Sequence, residues 1–238
     1  MSRQLEPYQL IERSIQKKFH KVLWTPFITA IKQYELIAPG DRIAVCISGG
    51  KDSMLMAKLL QLLQRHSDVP FEVVNLVMDP GYNAVNRQKI ESNAALLHIP
   101  ITVFETNIFE VTNSTDKSPC YLCARMRCGH LYSKAKELGC NKIALGHHFN
   151  DVIETTVMGM FYGSQLQAML PKLHSDNFEG MELIRPMYAS TRRASSPGGS
   201  TTSSSLSSAP AALQKTAPSA ITVEAAQSVR KSRRCCED

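Results

Sequence analysis

Six consecutive residues, Ser48-Gly49-Gly50-Lys51-Asp52-Ser53, combine the side chains and the backbone freedom that an oxyanion site needs. The glycines let backbone N–H groups approach an anion with no Cβ in the way. Lys51 adds a full positive charge, Ser48 and Ser53 add hydroxyl donors, and Asp52 offers a carboxylate suited to Mg2+. The preceding run Arg42–Ile47 is mostly apolar, as in a strand buried on both faces, and Asp52–Gln64 has the periodicity of an amphipathic helix. A helix starting at the loop contributes unpaired N–H donors and the positive end of its dipole. The spacing fits neither a Walker loop nor the Gly-x-Gly-x-x-Gly fingerprint.

Two further constellations carry chemistry. Gly146-His147-His148-Phe149-Asn150-Asp151, then Glu154-Thr155, follows the apolar run Lys142–Leu145. Taken alone, Asn150 or Asp151 also suits a helix N-cap. Pro119-Cys120-Tyr121-Leu122-Cys123 opens a predicted helix over 120–138, followed by Arg125, Arg127 and Cys128. Thiols at a helix N-terminus favour the thiolate, and one CxxC serves zinc, an iron–sulfur cluster or redox exchange. Arg125 and Arg127 suit RNA phosphates, a nucleotide or plain solvent. Isolated Cys46 and Cys140 read as small hydrophobes, and Cys128 as incidental.

The elements that must position these residues alternate along the chain. A helical segment over 8–37 carries a predicted break or kink at Pro26. Strands follow at 42–47, 71–78, 101–104 and 142–145, with a short fifth at Leu183–Ile184. Helices fall at 52–64, 83–97, 120–138 and 150–161. Such alternation predicts an α/β fold with a doubly wound, mainly parallel Rossmann-like sheet, whose ligands sit at the carboxyl ends of the strands. The expected organisation is an N-terminal helical segment (1–40), a nucleotide-binding domain (41–190) and a low-complexity tail (191–238).

Composition bounds the rest. A chain of 238 residues with 43% hydrophobic and 20% charged residues can bury one substantial core. No apolar run approaches the roughly 20 residues of a membrane helix, and the N-terminus has no signal-peptide pattern, so no membrane and a cytoplasmic location are expected. Seven cysteines in that setting argue against a disulfide framework. The net charge of +6 is concentrated in the tail, where seven Lys/Arg face three acids. Global charge therefore says little about RNA, and any such case rests on local patches.

The hexapeptide 48–53 resembles the motif of the PP-loop ATP pyrophosphatases, whose fold is of the adenine nucleotide alpha hydrolase-like type. The Gly-His-His element resembles that of the PP-loop enzymes that modify tRNA, although Asn150 departs from their usual acid. The run from Pro119 to Thr155, with MFYG, PKL and IRP beyond it, is similar to the tRNA 2-thiocytidine synthetase group over residues 15–190. The resemblance implies ATP bound by Ser48–Ser53, Met78, Gly146 and His147, with adenine against Ile47 and Met78 and Asp79 near the nucleoside. It implies Mg2+ on Asp52 and Asp151, and a [4Fe–4S] cluster on Cys120 and Cys123. Lys51, Asp52, Cys120 and Cys123 would be catalytic, and Arg125 and Arg127 would touch RNA. The implied partners are tRNA and a sulfur donor such as a cysteine desulfurase, with a homodimer left open. A ligase of lysidine-synthetase type and an inactive nucleotide- or zinc-binding RNA module are the alternatives.

Where that group carries a third cluster cysteine, this chain has a Ser/Thr/Ala/Pro-rich tail whose composition predicts disorder. A change of reading frame near Ser190 competes with a natural tail. Codons exist for Ala209–Ala220 that, read one base earlier, spell a cysteine-rich peptide, CACRFTENCAIC. Under that explanation Cys235 and Cys236 are accidental.

Overall fold

Why the glycine loop lies where it does follows from strand β1 (Arg42–Ile47), which is buried at every position after Arg42, as the middle of a parallel sheet requires. The computed structural model describes residues 5–106, 108, 119–163, 166 and 168–191, with side chains in the helix beginning at Pro119 described from residue 125. The tail beyond residue 191, and with it the expectations of disorder and of a frame change, lies outside them.

Around β1 run β2 (Glu72–Asp79), β3 (Thr102–Glu105), β4 (Lys142–Ala144), β5 (Lys172–His174) and β6 (Glu182–Ile184), in the order β3-β2-β1-β4-β6-β5. Every pairing is parallel except β5 with β6. Helices α1 (Pro7–Arg13) and α2 (Thr25–Gln33) precede the sheet, and α3 (Lys51–His66), α4 (Ala84–Leu96), α5 (Pro119–Glu137) and α6 (Phe149–Gly163) are interleaved with it. The strand Leu183–Ile184 is present as part of β6. β5, unforeseen, is a three-residue edge strand (Lys-Leu-His), too short for alternation to register.

The sheet is covered on two faces because β1 alternates between them. Ile43, Val45 and Ile47 join a core with Ile15, Leu23, Phe27, Met56, Leu59, Leu60 and Ile90. Ala44 and Cys46 face a second core built with Tyr132, Ala135 and Cys140 from α5 and the turn after it. Residues of the N-terminal helices thus share a core with the sheet. Buried ion pairs add fixed points: Lys58 Nζ on α3 lies 2.6 Å from Glu12 on α1, and Lys142 Nζ lies 2.8 Å from Asp41 and 3.1 Å from Glu182.

The N-terminal helix breaks earlier than its sequence suggested. Two π-helical turns, Ser14–Lys18 and His20–Trp24, meet at Phe19, whose dihedrals (φ −100°, ψ 11°) leave the helical range. Pro26 instead sits in the first turn of α2, where its missing N–H costs no helical hydrogen bond. At the other end of the chain, α6 buries only Asp151 and Val152. Phe149, Ile153, Val157 and Phe161, at four-residue spacing, are exposed along it. No helix among the described residues is long and apolar enough to cross a membrane.

Candidate functional site

The sheet order makes the neighbours β1 and β4 the point where the chain's winding reverses, and sheets of this class take their ligands there, outside the carboxyl ends of the strands. The loop 48–53 leaves β1 and the loop 146–151 leaves β4, so the topology brings the two polar segments together. Their approach is close. A Cβ on Gly146 would lie 3.3 Å from the backbone N and Cα of Ser53 and 3.4 Å from the carbonyl carbon of Asp52. A side chain at 146 would have to push the first turn of α3 away by a few tenths of an ångström.

Inside the first loop, Gly49 adopts φ +80°, and a Cβ there would meet the Ile90 side chain at 2.9 Å. Gly50 is the N-cap of α3 and supplies no side-chain cap. By helix geometry the N–H groups of Lys51, Asp52 and Ser53 have no intrahelical acceptor, and they give the loop its anion-binding character. Ser53 is buried, and its Oγ accepts from the Ser48 N–H at 3.2 Å while donating to the Gly50 carbonyl at 2.9 Å. Its hydroxyl holds the loop shut, whereas Ser48 Oγ lies 3.3 Å from Ser53 Oγ at the loop's entry.

His148 is the residue that sequence reasoning left without a role. It is 1% exposed and lies between the two loops, with Nδ1 2.8 Å from Asp151 Oδ2 and Nε2 3.7 Å from Asp52 Oδ2. Its own backbone N–H also donates to Asp151 Oδ2, at 2.9 Å. Burial pushes the imidazole pKa down, but its hydrogen bonds and charge interactions with Asp151 and Asp52 outweigh that and raise it to about 9. The ring is therefore a cation at neutral pH, bridging the two carboxylates assigned from sequence to Mg2+. Asp52 remains accessible for a metal, with 28% of its side chain exposed. One oxygen of Asp151 thus already accepts from the His148 backbone N–H and lies against its ring. The doubled histidine with an acid three positions on was the available signal; that the second ring turns inward was not.

His147, by contrast, is partly exposed beside the loop. Arg185, the largest fully buried side chain among the described residues, extends from just beyond β6, and its Nε lies 3.3 Å from His147 Nδ1. Met78 is buried at the carboxyl end of β2, level with Phe104 of β3. Asp79 is held within its own turn, where Oδ1 accepts from the N–H groups of Gly81 at 2.9 Å and Tyr82 at 2.6 Å. Tyr82 in turn accepts from Arg127 Nη2 at 3.4 Å, which brings α5 to the end of β2. Arg125 is exposed. The side chains of Cys120 and Cys123 lie outside those described; the backbone places both in the first turns of α5. Cys128, read as incidental, is disulfide-bonded, while Cys46 and Cys140 are buried free thiols. A cleft of about 600 Å3 between β3 and α5, lined by Phe104, His130 and Lys134 among others, lies two strands from β1 and does not include the glycine loop.

Comparison with known proteins agrees with this geometry. The PP-loop domain family matches residues 11–195. A tRNA-cytidine(32) 2-sulfurtransferase of Neisseria meningitidis serogroup C is 40% identical over 161 residues, which cover 66% of this chain and 50% of that protein. A protein of the same name from Alcanivorax borkumensis is 38% identical over 183 residues, covering 74% and 63%. The chain thus spans about half the length of the first of these relatives. Among solved structures, the U34-tRNA thiolase NcsA from Methanococcus maripaludis, determined with its [4Fe–4S] cluster, superposes with a TM-score of 0.55 at 20% identity, over 71% of this chain and 58% of that one. At that identity the likeness speaks for the fold. With the family match spanning most of the chain, and with the loop after β1 and the histidine pair after β4 meeting at the switch point, this chain belongs to the PP-loop domain family.

Proposed function

We propose that this chain performs ATP-dependent sulfur transfer to a tRNA cytidine, as the names of its sulfurtransferase relatives suggest. The observation that supports the proposal is the close approach of Gly146 to the first turn of α3, where the loop 48–53 and the histidine pair meet; helix-terminal N–H donors, Lys51 and His147 would serve one anion there.

ATP binds with its phosphates on Ser48–Ser53, and Met78, Gly146 and His147 lie around the nucleotide. The cytosine carbonyl oxygen attacks the α-phosphorus and pyrophosphate leaves. Lys51 and the loop N–H groups stabilise the charge that develops on that leaving group, an electrostatic contribution. A sulfur nucleophile then adds to the activated carbon, and AMP departs with the original oxygen. Asp52, with Asp151 beside it, would hold a Mg2+ ion, which would neutralise phosphate charge. Cys120 and Cys123 would hold a [4Fe–4S] cluster, which supplies a binding place for sulfide. Arg125 and Arg127, on the same helix, contact RNA phosphates. A cysteine desulfurase as sulfur source, a homodimeric assembly and a cytoplasmic location complete the proposal.

The test is anaerobic thiolation of unmodified tRNA by the full chain with ATP, Mg2+ and sulfide, read by mass spectrometry of the nucleosides, alongside pyrophosphate release. The proposal expects both signals, loss of both in Lys51→Ala, and loss of thiolation in Cys120→Ala with ATP binding retained. Thiolation unchanged in Cys120→Ala would end the cluster assignment. Absence of pyrophosphate release from the wild type would end the adenylation reading.

A further inference from the structure

The geometry points to Arg185 as a positioning residue that sets the tautomer of His147, so that His147 offers a neutral Nε2–H donor to a bound phosphate. The phosphate half of this statement rests on the proposed function, while the tautomer half stands on the structure alone.

Arg185 follows β6 directly. It reaches the site because β4 and β6 are parallel neighbours, with Ala144 level with Ile184 and the Leu145 N–H donating to the Ile184 carbonyl at 3.0 Å. The chain turns after Leu145, whose carbonyl accepts from the His147 N–H at 2.9 Å, and this leaves His147 beside Arg185. Arg185 is 1% exposed, and its backbone N–H is anchored on the Pro171 carbonyl at 2.9 Å. Its Nη1 donates to the Leu170 carbonyl, and its Nε faces His147 Nδ1 at 3.3 Å.

A guanidinium has donors only and does not lose its proton in proteins. A ring nitrogen facing its Nε–H must therefore offer a lone pair, which places the ring proton on Nε2. An imidazolium would instead set N–H against N–H and charge against charge. The arginine thus holds His147 neutral and polarises the far N–H with a cation buried behind the ring. The phosphates gain a charge-assisted donor, at a distance from the guanidinium itself, and the ring cannot swap to the tautomer that presents a lone pair to an anion. A purely structural account would limit Arg185 to tying residues 170–171 to the end of β6. That role predicts no dependence on His147.

The experiment is a two-residue cycle on the full chain with two readouts. Histidine-selective 15N NMR reports which nitrogen of His147 carries the proton, and Mg·ATP binding is measured in wild type, Arg185→Met, His147→Phe and the double variant. The wild type should show a single Nε2–H form. Arg185→Met should show a mixture of tautomers and bind Mg·ATP about tenfold more weakly. In the His147→Phe background, Arg185→Met should add less than twofold. Arg185→Lys keeps a buried donor-only cation, so it should fold and retain more of the Nε2–H form than Arg185→Met. An unchanged tautomer in Arg185→Met, a folded Arg185→Lys with the same tautomer mixture as Arg185→Met, or the same loss on ATP binding with and without His147, overturns the inference. If the wild type binds no ATP while the tautomer responds to Arg185, the positioning stands and the nucleotide reading of the site fails.

Discussion

Gly49→Ala tests the architecture of the loop because two separable penalties meet at one atom. At φ +80° a residue with a Cβ is strained by about 1–2 kcal/mol. The added methyl would also lie 2.9 Å from Cδ1 and Cγ1 of Ile90, a buried residue of α4, and overpacking of that kind costs about 1–3 kcal/mol. Together they predict a loss of about 2–5 kcal/mol, measurable by urea unfolding at constant pH. Ile90→Ala alone should cost about 2–5 kcal/mol through its cavity, and it removes both clashing atoms. In that background Gly49→Ala should therefore cost only the backbone part, about 1–2 kcal/mol. The cycle should show a favourable coupling of about 1–3 kcal/mol between the two substitutions. Strict additivity would mean that α4 does not pack on the loop. A cost below about 0.5 kcal/mol in the wild-type background would contradict the left-handed conformation itself.

Three further outcomes follow from the same geometry. Gly146→Ala places its methyl 3.3 Å from backbone atoms of Ser53, which can move only by shifting the first turn of α3; isothermal titration should show Mg·ATP affinity falling about tenfold, roughly 1.4 kcal/mol, while the unfolding midpoint changes little. His148 has a folded pKa raised from 6.5 to about 9, so its contribution is complete below pH 6.5 and is lost as pH rises towards 9. The amount is on the order of 3 kcal/mol, and His148→Gln should flatten that stretch of the stability profile of the nucleotide-free protein. Asp41→Ala leaves Lys142 buried with one carboxylate fewer but still paired with Glu182 and the Leu36 carbonyl, at a cost of about 1–3 kcal/mol in chemical denaturation. Burial alone would raise the Asp41 and Glu182 pKa values, but for Asp41 the Ala38 N–H, Lys142 and Asn141, and for Glu182 Lys142 and Lys172, lower them below 3.8 and 4.5. Their stabilisation is present above those values and disappears as pH falls through the depressed ones, so Asp41→Ala should also blunt acid unfolding.

By itself the sequence determined what is local: the strand–loop–helix unit at 42–66, the glycines at the turn, the strand–helix alternation and the cysteine pair at the start of a helix. Backbone sterics, hydrophobic period and turn chemistry act over a few residues, and so they can be read from a single segment. The break at Phe19 escaped because Ile15, Phe19 and Leu23 fall at the four-residue spacing of a continuous helix with no glycine or proline among them, while Pro26 is a conspicuous residue that a first turn accommodates. β5 escaped because three residues cannot show a period. Only the tertiary structure decided that His148 turns inward to join Asp52 and Asp151, that Ser53 spends its hydroxyl on its own loop, and that Arg185 comes to lie behind His147. Those contacts join segments brought level by strand order, β1 beside β4 and β4 beside β6. Pairing of that kind is a property of the whole sheet, and no window of the chain contains it.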